Sequence, residues 1–535
     1  MNRFKILSLS LIFIILYSSL YATIINIPDN YATIQAGIDA STDGDTVLVQ
    51  PGIYYENINF NGHNIVLGSL FLTTGDTNYI EQTSIGDYYG GTRVTFENGE
   101  NNIAALVGVR FVNSYDGHSQ GIRCINASPI IRSNIIANNH TDHFGAGVYC
   151  REGACPLILN NTFSSNSAYY GGAVYCGESN PVIIGNEITL CLANDGGAIY
   201  GRESSITISG NKIMNCTAGA ILLRNSNAII TLNQVTNTNN AGIYLYQCNG
   251  FNVLIKGNTI RENISGITCN DSSPIISNNL IYNNCNSEPG WAAGGIYCRS
   301  NSAPIVLNNC IYNNHATYGG HGIVCQFNSH PIAVSNIIRS DTSQLDAIYI
   351  YSPSSIDISY SNIQDGYQGE GNIDADPLFR DPDNGDFHLM AIECGDPYDS
   401  PCIDMGHPGI LDTILNCDWG LGSERSDMGA YSSGELAVDI NESIVAVPKT
   451  TLIAKNYPNP FNAATSIKYE LPYQSHVTID IYDILGRKVA SLVDRQQLAG
   501  YHQAVWQADG FSSGMYFYKL QAGDYSETKK MLLLK

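Results

Sequence analysis

The sequence predicts an all-β chain: a long parallel β-helix with three strands per coil, then a small C-terminal β-sandwich. The first observation is a repeated phrase. From Ser128 the chain reads S-P-I-I-R-S-N-I-I-A-N-N and closes with G-A-G-V-Y-C at Cys150; from Cys155 it restarts as C-P-L-I-L-N-N-T-F and closes with G-G-A-V-Y-C at Cys176. Further copies begin at Asn180, Pro274, Pro304 and Pro331, with weaker ones near Ile206, Ala228, Val253 and Ile356. A fixed period of roughly 20–50 residues marks a solenoid or a propeller. Secondly, each copy holds three short apolar runs, such as Gly147–Cys150, Pro156–Leu159 and Thr162–Ser164. Runs of this length, rich in Ile, Val and Tyr, are strands and too short for helices. Stacked coil on coil, they sit ~4.8 Å apart. Thirdly, one Asn recurs at the same place in each copy: Asn134, Asn161, Asn186, Asn211, Asn233, Asn258, Asn279, Asn309, Asn336 and Asn362. It falls at the corner between the second and third strands. That corner calls for a left-handed residue, which Asn tolerates, and stacked amides bond one another in a ladder.

Taken in order, residues 1–22 read as a secretory signal. Arg3 and Lys5 give a positive start, Ile6–Leu20 an apolar run, and Ala22 a cleavage site. No later stretch is apolar and long enough to span a bilayer. The β-helix is expected over 23–366. At its start Asp29 or Asn30 is positioned to cap a short helix carrying Ile34 and Ile38 on one face, and this helix closes the solenoid end. Residues Phe71–Gly91 look polar and loop-like. A closing module follows over 367–433, a linker over 434–454, and a different domain over 455–535. In that last domain, alternating runs at Ser466–Glu470, Val477–Tyr482, Lys488–Val493, Gln503–Gln507 and Met515–Gln521 are separated by turns, the pattern of a β-sandwich.

Composition narrows the function. The chain has 535 residues and a net charge of −22, which argues against nucleic acid and anionic membrane surfaces as partners. Cys124, Cys150, Cys176, Cys269, Cys298 and Cys325 each stand 10 or 11 residues before a ladder Asn. They form one inward column, too widely spaced for relaxed disulfides. Cys394, Cys402 and Cys417 lie outside the coils and are the disulfide candidates.

These coils resemble the right-handed parallel β-helix of the pectate-lyase-like superfamily. The resemblance implies a fold, and it implies that the face of the first strands is a polysaccharide cleft. Outward positions there are Arg123, Tyr149, Tyr175, Tyr200, Leu222, Thr268, Tyr297 and Val324; beyond them come Arg151, Arg202, Arg224 and Arg299, then Glu152, Glu178, Glu203 and Asp271. Aromatic rings offer flat platforms, and Arg offers forked donors for carboxylates. Substrate-binding candidates are therefore Tyr149, Tyr175, Tyr200, Arg151, Arg202, Arg224, Trp291, Tyr297 and Arg299. The same residues also make sense as stacked strand formers with charges neutralised at a turn. If the cleft is catalytic, Arg151, Arg202 and Glu178 are the candidates for a Ca²⁺-dependent polyuronate lyase. Its ion would sit on Glu152, Glu178 and Glu203. Asp381, Asp383 and Asp386 are a second calcium candidate, although D-P-D-N-G is also a turn in its own right. Gly320-His321-Gly322 is similar to a galacturonase motif, but that family's paired acids and R-x-K are missing from the mature chain. His140 and His143 are loop residues with no further zinc ligands nearby.

The tail carries N-Y-P-N-P-F-N, I-Y-D-I-L-G-R, G-M-Y-F-Y-K-L and a final K-K-M-L-L-L-K. It resembles the type IX secretion C-terminal sorting domain. That resemblance implies an outer-membrane export machinery as partner, and a secreted or surface location outside a bacterium. The expected function is binding or display toward polysaccharide, and the alternative is the polyuronate lyase.

Overall fold

A computed structural model describes residues 22–86, 90–111, 120–250, 252–286, 294–317, 320–340, 346–432 and most of 456–534, with short strands at 435–436 and 452–453. The signal segment 1–21 and Trp291 lie outside the described residues. The main body is a parallel β-solenoid of three long sheets, with 12, 14 and 13 strands. The first sheet holds the V-Y-C strands, for example Val148–Arg151 and Val174–Gly177. The second holds Leu157–Leu159 and Val182–Ile184. The third holds Thr162–Ser164 and Glu187–Thr189. Their inward side chains form one continuous core of Ile, Val, Phe and Cys.

Register follows directly from the repeat. Cys124, Cys150 and Cys176 pair in line, then Gly201, Leu223 and Leu245 occupy the column, and Cys269, Cys298 and Cys325 complete it. All these cysteines are buried and free. Beside them the asparagine amides stack. Each Nδ2 donates to the Oδ1 of the next coil at 2.9–3.0 Å, from Asn134 to Asn336. The ladder then differs from the sequence expectation. Asn336 N–H donates to Ser361 Oγ (3.0 Å), and Asn362 stands one residue further on, where its amide donates to the Ala375 carbonyl. The left-handed residue is also not the Asn itself. It is the one before it, as at Asn160 (φ 50), Leu232 (φ 56) and Asn278 (φ 53). The corner bends at that residue, and the bend aims the following amide inward.

The same device recurs at the other two corners. Between the third and first sheets, Asn139 and Asn166 bond to each other, as do Asn263, Asn284 and Asn314. Between the first and second sheets, the backbone N–H groups of Ser179, Ser204, Ser272 and Ser302 donate to the next coil's serine hydroxyl.

The ends are closed by small elements. The N-terminal helix is Ile34–Asp39, and its cap is Thr33, whose hydroxyl accepts from Ala36 N–H. Asn30 instead accepts from Asn26 N–H in the preceding turn. Residues 71–86 are not a loop. Two short helices, Phe71–Thr74 and Asn78–Gln82, lead into the strand Thr83–Gly86. Gly108 admits Phe71 at a distance where a Cβ would lie 2.7 Å from the ring.

The closing module packs sideways along the last coils. Leu280, Tyr282, Cys310, Tyr312 and Ile337 on the outer third sheet meet Phe379, Phe387, Leu389, Met428 and Ala430. At the outward position of Leu280, Cys310 and Ile337, earlier coils carry Thr162, Glu187, Lys212, Gln234 and Thr259. Asn308 donates to the Asp427 carbonyl (2.9 Å), and Asn278 donates to the Ser432 carbonyl (2.8 Å). A disulfide joins Cys394 to Cys417, while Cys402 is buried and free.

Inside the module the Asp427 carboxylate accepts from Asp404 and Leu421 N–H. Burial, with Asp412 and Asp404 nearby, pushes it up to about 7. The unfolded group ionises near 3.8. The folded state therefore favours the neutral acid, and it loses stability as pH rises from that value through 7. We expect Asp427→Asn, which cannot ionise, to level the stability profile between pH 4 and 7, while giving up one of the two N–H acceptances. Denaturant titration across that range checks it.

The linker region includes two short strands: Glu435–Leu436 pairs with Ile410–Leu411, and Leu452–Ile453 joins the terminal domain. That domain has antiparallel sheets of three and four strands packed around Trp506, Tyr469 and Tyr518. Its last strand is Tyr525–Leu533.

Candidate functional site

The outer face of the first sheet presents its middle residues in a line. Tyr149 stacks on Tyr175 (5.4 Å) and Tyr175 on Tyr200 (5.6 Å), with the rings nearly parallel in both cases. The line continues through Leu222, Tyr244, Thr268, Tyr297 and Val324. These rings are not an open platform. Tyr175, Tyr200 and Tyr297 expose only 6%, 4% and 2% of their surface. Burial pushes the Tyr175 phenol up to about 12.

What covers the first two is an aromatic wall. The strands Ser167–Tyr170 and Leu192–Asp195 form a separate two-stranded ribbon, bridged to His140 and Phe144. Phe144 lies 4.7 Å from Tyr175 and 5.6 Å from Tyr170, and Tyr170 lies 4.9 Å from Tyr200. Glycines allow this approach. At Gly196 (φ 72) a Cβ would fall 2.0 Å from the Tyr200 ring. The sequence carried the signal, since Phe144 and Tyr169-Tyr170 each stand directly before a glycine pair or G-x-G.

Arg151 and Arg202 edge this wall, with side chains 46% and 52% exposed. They are in register two coils apart, with Gly177 between them. Arg151 faces Glu178 at 3.8 Å, and Arg202 faces Glu203 at 3.0 Å. Exposed pairs of this kind are worth ~0–1 kcal/mol and exchange readily for a ligand. Arg224 and Arg299 are more committed. Arg224 lies over Tyr246 (5.1 Å), and Arg299 lies over Tyr297 and Phe327 (5.7 and 5.5 Å).

The acidic column has a backbone job. Glu152, Glu178, Glu203 and Asp271 all take left-handed φ, between 50° and 57°, at the corner into the second sheet. Among the described residues, no group of three His, Cys, Asp or Glu side chains is placed to hold a metal ion. Asp381, Asp383 and Asp386 build a turn: Asn384 donates to Asp381 (2.8 Å), and His388 N–H donates to Asp386 (3.0 Å). His321 is fully buried with neither ring nitrogen hydrogen-bonded, and burial pushes its imidazole down to about 4. His140 faces Asp142 (3.4 Å) in an exposed loop.

Comparison with known proteins agrees with this architecture. Residues 96–247 and 172–311 match the family model described as right handed beta helix region, and residues 455–534 match the secretion system C-terminal sorting domain. The chain thus carries a right-handed parallel β-helix followed by a type IX sorting domain, and that domain implies export to a secreted or cell-surface location in a bacterium. Among solved structures, a mutant of AlyGC, a PL6 family alginate lyase, aligns at 12% identity and a TM-score of 0.34. The match covers 69% of this chain and 55% of that one, a likeness too distant to bear on activity. No curated protein matches the chain. Among the described residues, no helix is long and apolar enough to cross a membrane.

Proposed function

We propose that the exported β-helix binds an acidic polysaccharide along the outer face of its first sheet. One observation carries this reading: two half-exposed guanidinium groups, Arg151 and Arg202, stand in register beside an aromatic wall, Arg151 bonded to Tyr149 and facing Glu178, Arg202 paired with Glu203. Arg presents a planar fork that suits a sugar carboxylate, and the solenoid repeats one step per coil, as an extended polymer does. Tyr149 and the exposed Tyr169 give the sugar rings an edge to rest on, while the buried Tyr175 and Tyr200 keep that edge rigid. Long-range repulsion by a net charge of −22 makes the local Arg pair the docking point.

Replacing Arg151 and Arg202 together by alanine should weaken affinity for polyuronate by about tenfold or more, with each single change causing part of the loss. Wild-type affinity should fall as salt is raised. Calorimetric titration with polygalacturonate and alginate at two ionic strengths reads both effects. Undiminished binding by the double variant would remove the site.

A further inference from the structure

We infer that the closing module holds a second carbohydrate subsite, built on Trp419 and selective for a neutral sugar. It lies away from the first sheet and goes beyond the proposed function. Trp419 is 43% exposed, a large indole left in solvent, and Ile414 and Leu415 of the same segment are exposed as well. It is held rigidly. Asn416 Oδ1 accepts from Asp418 and Trp419 N–H, both at 2.9 Å, and Asn416 N–H donates to the Trp419 carbonyl at 3.0 Å. The disulfide from Cys417 to Cys394 anchors the same turn to the module. Behind it, Tyr431 stacks on His388 (3.6 Å), with its ring centre 6.1 Å from that of Trp419.

The surroundings choose the ligand. A flat indole with one polar edge suits the apolar face of a sugar ring. Asp418 is exposed next to it, and Arg380, paired to Asp396 at 2.9 Å, donates to the Cys417 carbonyl. These groups accept from and donate to hydroxyls. Asp418, and the acidic closing module in which Arg380 and Arg425 are the basic side chains, repel both an anionic lipid surface and a uronate, so the neutral sugar is the class that fits.

The chain has three tryptophans, and Trp506 is buried in the terminal domain. In the full-length Trp291→Phe variant, therefore, Trp419 is the exposed indole that reports binding. Titration with neutral β-linked hexasaccharides of glucose, xylose and N-acetylglucosamine should give a saturable emission shift with at least one of them. Calorimetry should show Trp419→Ala weakening that sugar by roughly tenfold, and Trp419→Phe retaining most of the affinity. No shift with any neutral hexasaccharide, or equal affinity after Trp419→Ala, would overturn the inference. So would Trp419-dependent sedimentation with phosphatidylcholine vesicles. Polyuronate binding through Arg151 and Arg202 is read separately and stands or falls apart from this result.

Discussion

Asn186→Asp should destabilise the solenoid by about 3–5 kcal/mol at pH 7, a large effect for a single isosteric substitution. The Asn186 amide donates to the Ile158 carbonyl (2.9 Å), the Ile184 carbonyl (3.1 Å) and Asn211 Oδ1 (3.0 Å). An aspartate would present oxygens to all three acceptors and bring an uncompensated charge into a fully enclosed stack. Its own Oδ1 would still accept from the Asn161 amide at 3.0 Å, so the loss falls on the donor side. Protonation restores one donor, so part of the loss should be recovered near pH 4. Urea unfolding at the two pH values measures this. A variant as stable as the parent at pH 7 would show that the ladder does not bear on stability.

Deleting Lys455–Lys535 should leave the β-helix folded and abolish its appearance outside the cell. The terminal domain has its own core, centred on Trp506, Tyr518 and Leu520, distinct from that of the solenoid. The sorting match covers residues 455–534, almost the whole of the deleted segment. Fractionation of the native host should find the truncated chain retained in the periplasm, with far-ultraviolet circular dichroism of the purified chain still showing the β signal of the folded solenoid and a cooperative thermal transition. Normal surface exposure of the truncated chain would count against the sorting role.

Most of the architecture was legible because the solenoid repeats its constraints. A Cys or Leu column and an Asn column at a fixed offset leave one register, since a slip of one residue turns every side chain to the other face. The corners were less legible. Ser133, Leu232 and Tyr360 adopt left-handed φ despite being poor choices for it, because the next residue, or the stack it joins, sets the bend. Asn362 looked like a ladder member by residue type, yet Ser361 takes that place where the last coil turns into the closing module.

The site was legible in its columns and illegible in its depth. Alternation placed Tyr149, Tyr175 and Tyr200 outward, but outward on a solenoid strand does not mean exposed. Phe144 and Tyr170 arrive from neighbouring corners and bury Tyr175 and Tyr200, a contact that strand periodicity does not encode. The same holds for Leu280 and Cys310. Their apolar side chains break a polar outward column, because the closing module, roughly a hundred residues further along the chain, lies against them.

The most direct measurement of the proposed function is a hydrogen-exchange footprint of the full chain with and without polyuronate. Binding along the first sheet predicts added protection at residues 149–152, 175–178 and 200–203, on adjacent coils, and its loss in the Arg151→Ala, Arg202→Ala double variant. Protection confined to the closing module or the terminal domain, with those coils unchanged, would contradict it.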